Sequence, residues 1–170
     1  MELPRQTGQL MQLIFYTLLI SHVQHYNHEK YWSRRTEVIN PNSKVPKLLR
    51  LYYLYYVKKT DAYHNCSFGT LWNQGSTFVT PPQLPHGPNG IIIGNNLSFG
   101  MNCVLFHHVT IASGGAQIGD NVLFSAGCTI LSDVKRIGDN AKIGANSIVI
   151  EDVPDNATVV MQKPRVIIRK

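Results

Sequence analysis

The chain is poor in charge. Only 15% of its 170 residues are Asp, Glu, Lys or Arg, where about a quarter is usual for a globular domain. Something other than charge must therefore cover much of its surface. Paired cysteines are also lacking. Cys66, Cys103 and Cys128 are odd in number and widely spaced, and no CxxC occurs. That excludes a disulfide framework and speaks against a zinc site. A reducing, cytoplasmic setting is expected. Long hydrophobic runs are missing too. The longest, Leu10–Ile20, is interrupted by Gln12 and falls short of the roughly 20 residues that span a bilayer as a helix. Only Arg5 precedes it as a cation and no small-x-small site follows, so a signal peptide is not expected. What is abundant is apolar residues, at 44%, which excludes a disordered chain. The length fits one domain, or one domain with a small appendage.

The charge that exists is unevenly placed. Residues 1–61 hold nine Lys and Arg against four Asp and Glu, most of the net +6. The remainder is nearly neutral, which argues against a protein that wraps nucleic acid. Leu10, Leu13, Ile14 and Leu18 lie near helical spacing. A second helix is predicted from Lys47 to Lys59, opened by Pro46. Its ends are basic and its middle rich in Tyr, as in an interfacial helix that touches a membrane peripherally. The plainer reading packs it on the main domain or a neighbouring subunit. His22, His25 and His28 recur every three residues, but no acid completes a metal face.

From Ile91 the sequence repeats in sixes. The units begin at Ile93, Phe99, Leu105, Ile111, Ile118, Phe124, Ile130, Ile137, Ile143 and Val149. Extra residues fall at Gly114-Gly115 and Arg136. The first position is always aliphatic or aromatic, and the second is mostly Gly or Ala. The fifth is small or apolar, from Leu97 and Cys103 to Ser147 and Val153. Asn95-Asn96, Asp120-Asn121 and Asp139-Asn140 supply corner chemistry. A strand alternates every two residues and a helix every 3.6, so a period of six is that of a solenoid whose units bury their apolar side only by stacking.

This pattern is the hexapeptide repeat, and it resembles the acyltransferases built as left-handed parallel β-helices. The resemblance covers residues 62–168. It implies a mainly β fold with a short N-terminal helical segment, residues 1–61, before an acetyltransferase domain, residues 62–170. It also implies a homotrimer, with acetyl-CoA bound between neighbouring prisms. Within the family the chain is most similar to serine acetyltransferases and to sugar O-acetyltransferases of polysaccharide synthesis. Leu84-Pro-His-Gly-Pro-Asn-Gly-Ile-Ile-Ile-Gly94 resembles the active-site segment, and Asn102–Ile111 the coil after it.

The resemblance makes His86 the general base. A neutral imidazole suits proton removal from a hydroxyl. His107 and His108 are rivals of His86, one expected toward the acyl group and the other toward the core or a neighbour. Since His107 matches a polar position of the family's pattern, the resemblance gives it the accessory role. In serine acetyltransferases an acidic residue orients the base. Here residues 65–76 contain none and Asp61 is the nearest upstream, so Asn65, Asn73 or a backbone carbonyl takes that place. For the coenzyme, the resemblance points to Ser113, Ala126, Gly144 and Ala145. Its phosphates would meet Lys142, Lys163 and Arg165. The tail Met161–Ile168 is similar to the family's ending, but Met161 stands where a glycine is usual. The basic loop that grips an amino-acid carboxylate is absent, and so is the large helical domain of those enzymes. Acetylation of a sugar or glycan precursor is therefore expected first and serine acetylation second, with neither metal nor nucleic acid. A zinc hydratase on the same solenoid would need three separated histidines, and His107 and His108 are adjacent.

Overall fold

In the computed structural model the described residues are 22–163 and 166–168, with Tyr16 and Leu19. The expected Leu10–Ile20 helix otherwise lies outside them, as does Arg165. Two helices come first, α1 (His28–Ile39) and α2 (Lys47–Tyr63). The second starts where Pro46 predicts and runs four residues past Lys59. Among the described residues no helix is long and apolar enough to cross a membrane.

The rest is the left-handed parallel β-helix that the repeat implies. The strands, β1 (Ser67–Phe68) to β15 (Thr158–Val159), are two residues each. β2 (Thr70–Leu71) and β3 (Gln74–Gly75) pair as a small antiparallel hairpin, and the others stack into three parallel sheets. The first sheet joins β1, β5 (Ile92–Ile93), β8 (Thr110–Ile111), β11 (Thr129–Ile130) and β14 (Ile148–Val149). The second joins β4 (Thr77–Phe78), β6 (Ser98–Phe99), β9 (Gln117–Ile118) and β12 (Arg136–Ile137). The third joins β7 (Val104–Leu105), β10 (Leu123–Phe124), β13 (Lys142–Ile143) and β15. Ile92 pairs with Thr110, one coil of three hexads on. Thr110 then pairs with Thr129, one residue further, because the Gly114-Gly115 insertion widens a corner.

The hexad predicts the core. Every first-position residue from Ile93 to Val149 is buried, and so is every fifth-position residue from Leu97 to Val153. Each large aliphatic or aromatic side chain so buried contributes about 1.5–3 kcal/mol. The fourth position makes the corner. Asn96, Asn102, Asn121, Asn140 and Asn146, and Asn156 beyond the last unit, all have φ between 56° and 63°, a region that Asn enters at low cost. On the edge between the second and third sheets the asparagines form a ladder. Asn102 Nδ2 donates to Asn121 Oδ1, Asn121 to Asn140, and Asn140 to Asn156, at 3.1–3.3 Å. Beside it Asp120, Asp139 and Asp155 accept from the backbone N–H groups of Met101, Asp120 and Asp139.

The helices close the open end of the solenoid, where an unpaired strand edge needs cover. Trp32 of α1 packs edge-on against Phe68 and Phe78. Arg35, 1% exposed, donates to the carbonyls of Phe68 and Ser76 and to Thr70 Oγ1. Arg50 donates to the carbonyls of Glu37, Val38 and Asn40 at the C-terminus of α1, where a cation suits the helix dipole. Two of the basic residues that dominate residues 1–61 therefore serve the fold rather than an anionic partner. On α2 the apolar residues Leu48, Leu51, Tyr52 and Tyr55 are exposed, while Arg50, Val57, Thr60 and Asp61 are buried.

Candidate functional site

The edge between the third and first sheets carries the histidines. Its corners follow one another along the prism: the Leu84–Gly90 loop, Phe106–Val109, Ser125–Cys128 and Gly144–Ser147. His108 N donates to Asn89 O, Gly127 N to His107 O, and Asn146 N to Ala126 O, at 2.9–3.1 Å. His107, Ala126 and Ala145 thus lie in register below the loop.

That loop is held on several sides. Gly87 N donates to Leu84 O and Ile91 N to Pro88 O. Asn89 Nδ2 donates to His86 O, and Asn89 Oδ1 pairs with His64 Nδ1 at 2.9 Å. His64 caps the C-terminus of α2, and its carbonyl accepts from Gly90 N. The helical segment therefore fixes the loop that bears His86.

His86 and His107 meet. Their Nδ1 atoms are 2.8 Å apart, and the His86 ring stands edge-on to Phe106, with centroids 5.2 Å apart. Among the described residues Nε2 of His86 has no protein partner. His86 lines a cleft of about 820 Å³ between the loop and residues 23–28, whose walls include Tyr26, His28, Tyr63, His64 and Asn89. None of the described lining residues is Lys, Arg, Asp or Glu. Burial lowers the pKa of His28, which favours its neutral form.

His108 takes another place. It sits in the left-handed region at φ 58°, a corner position otherwise held by Asn or Gly. Its ring lies over Gly90, where a Cβ would come within 2.3 Å of His108 Nδ1. Of the two directions expected for one of these histidines, the core or a neighbour, the core is not taken: His107 is half-buried and His108 exposed. They hold the third and fourth positions of the hexad, whereas its inward positions are the first and fifth, Leu105 and Val109.

The residues expected to orient His86 lie elsewhere. Asn65 is exposed, at φ 48° after the helix end, and has no hydrogen bond to His86. Asn73 Oδ1 accepts from Arg50. Asp61 accepts from Tyr31 Oη at 2.6 Å, and burial raises its pKa. Ala126, Gly144 and Ala145 share the edge with His107. Ser113 lies on a different edge, where its Oγ accepts from Asn95 N. Lys142 and Lys163 are exposed. Sequence reasoning missed His64, since a lone histidine past a helix end carries no spacing signal. The His25 ring lies tilted against Tyr63, with centroids 4.2 Å apart, and among the described residues no three His, Cys, Asp or Glu cluster to hold a metal.

No family profile and no curated protein matches the chain. Solved structures do. Serine acetyltransferase from Neisseria gonorrhoeae is 32% identical over 68% of this chain and 46% of that one, with a TM-score of 0.54. The soybean enzyme is 28% identical over 69% and 49%, at 0.53. The chain has the fold of the hexapeptide-repeat acyltransferases. Isoform 3 of the Entamoeba histolytica enzyme, solved with cysteine, shares that fold at 23% identity, over 71% of this chain and 43% of that one, at 0.58. The chain spans less than half the length of each of these enzymes.

Proposed function

We propose that the protein is an O-acetyltransferase that moves an acetyl group from acetyl-CoA directly to a hydroxyl, with His86 as general base. The observation that carries this reading is His86 at the wall of the cleft, its Nδ1 held by His107 and its Nε2 without a protein partner among the described residues. In the reaction Nε2 takes the hydroxyl proton as the oxygen attacks the thioester carbonyl. The C–S bond then breaks and the coenzyme thiolate takes the proton. The three cysteines do not offer a competing nucleophile. All are buried, and burial pushes the Cys103 thiol up to about 11 and Cys128 to about 12. A direct transfer fits better than an acetyl-enzyme.

The acceptor has two readings. The solved relatives act as serine acetyltransferases, and one from Neisseria gonorrhoeae was solved with serine. This favours L-serine over the sugar or glycan precursor that the sequence suggests first. One observation favours the sugar. A zwitterionic amino acid wants charged partners, and the described cleft lining offers only neutral polar, aromatic and apolar groups beside its histidines. On either reading Ala126, Gly144 and Ala145 border the coenzyme, with Lys142, Lys163 and Arg165 toward its phosphates. Ser113, on another edge, would join them across a trimer. Residues 62–170 then form the acetyltransferase domain, and the described part of residues 1–61 caps it, with residues 23–28 walling the cleft. A cytoplasmic protein whose α2 touches the membrane peripherally fits the exposed Leu48, Leu51, Tyr52 and Tyr55.

The test is thiol release from acetyl-CoA with L-serine and with a panel of sugars. His86→Ala should lose at least about 100-fold in kcat on the accepted substrate. Full turnover in that variant would sink the assignment.

A further inference from the structure

Two imidazoles that meet nitrogen to nitrogen at 2.8 Å share one proton. Both cannot present N–H there, nor both a lone pair. We propose that His107 is a positioning residue, which accepts from His86 Nδ1–H and so places the lone pair of His86 on Nε2, at the cleft. The inference rests on the acetyl-transfer reading above.

The direction of the bond follows from where the rings stand. His86 lines the cleft and His107 does not. Were His107 the donor, neutral His86 would carry its proton on Nε2. It would then meet a hydroxyl as a donor and could not remove the proton. With His86 as donor, Nε2 is free to take it, and the imidazolium formed keeps its Nδ1–H on His107 throughout. The proton leaves Nε2 for the coenzyme thiolate, and the pair returns to its starting state.

The surroundings leave this role to His107. Asn73 is occupied by Arg50, and Asp61 by Tyr31. Phe106 backs the His86 ring edge-on, and Asn89 holds its backbone carbonyl. His107 is itself fixed by the coil, since its carbonyl accepts from Gly127 N one turn on. Its partner nitrogen is neutral where a carboxylate would bring a negative charge, in keeping with a cleft whose described lining has no ionic side chains.

The test reads tautomers and turnover together. Long-range proton–nitrogen spectra of histidine-labelled protein, with His86 assigned through His86→Ala, should show His86 as the Nδ1–H tautomer. In His107→Leu that signature should be lost and kcat should fall about 10- to 100-fold with KM little changed. In His107→Asn the amide oxygen stands near the lost Nδ1, so the tautomer and most of the kcat should return. A wild-type His86 protonated on Nε2 would overturn the inference, as would a His107→Leu protein that keeps both signature and kcat. Failure to acetylate any acceptor alongside an intact Nδ1–H signature would remove the acetyl-transfer reading and leave the His107-to-His86 bond in place.

Discussion

Two edges of the same prism share a backbone and differ in what they do with it. On the asparagine edge, Asn121 N donates to Met101 O, Asn140 N to Asp120 O, and Asn156 N to Asp139 O. On the histidine edge the same bond runs from His108, Gly127 and Asn146 to the coil before. The left-handed corner residue recurs on both. On the first edge side chains add a second ladder of amide hydrogen bonds and carboxylate caps. On the second the ladder is interrupted by His108 and Gly127, and the neighbouring positions hold His86 and His107. Because the main chain alone can close a corner, an edge relieved of its side-chain ladder is available for chemistry.

The comparison breaks if the asparagine ladder is ornamental. Asn121→Val should be the costliest change on these edges. It puts a β-branched residue at φ 56° and removes hydrogen bonds to both neighbouring coils. The loss should be about 2–4 kcal/mol, read from urea unfolding. Any acetyl turnover should survive in the folded fraction. A stability within about 0.5 kcal/mol of the parent would show that the backbone bonds carry the edge alone. Gly90→Ala probes the other edge. It strains a residue at φ 66° and pushes the His108 ring away, so about 1–2 kcal/mol should be lost. Turnover should fall with it, because Gly90 closes the loop that bears His86.

The asparagine edge was legible in the sequence and the histidine edge only partly so. A period of six with Asn or Asp at fixed offsets determines coil, core and corner together, since each position repeats its environment every turn. That is why every first- and fifth-position residue from Ile93 to Val153 lies where the repeat puts it. His86 was legible through the resemblance of its Pro/Gly turn to the active-site segment. His107 was named beside it, but as an accessory residue and not as the one that meets the His86 ring. Asn65 and Asn73 looked suitable by type, but Asn65 follows a helix end and Asn73 is held by Arg50 from another element. The cleft was hidden as well. It forms between a loop and residues 23–28, far apart in sequence, and is tied by His64, which belongs to no repeat.

The smallest expected effect is the sharpest on the roles of the two adjacent histidines. His108→Asn restores the residue type that the corner uses in Asn102, Asn121, Asn140 and Asn146. Asn enters the left-handed region more readily than His, and the lost ring contact with Gly90 is exposed. Stability should therefore stay within about 0.5 kcal/mol of the parent. Turnover should stay within about twofold, because the contact to His86 belongs to His107. A 100-fold loss of kcat with unchanged stability would instead make His108 a participant. The pairing seen at 2.8 Å between His86 and His107 would then be only one arrangement of a three-histidine site.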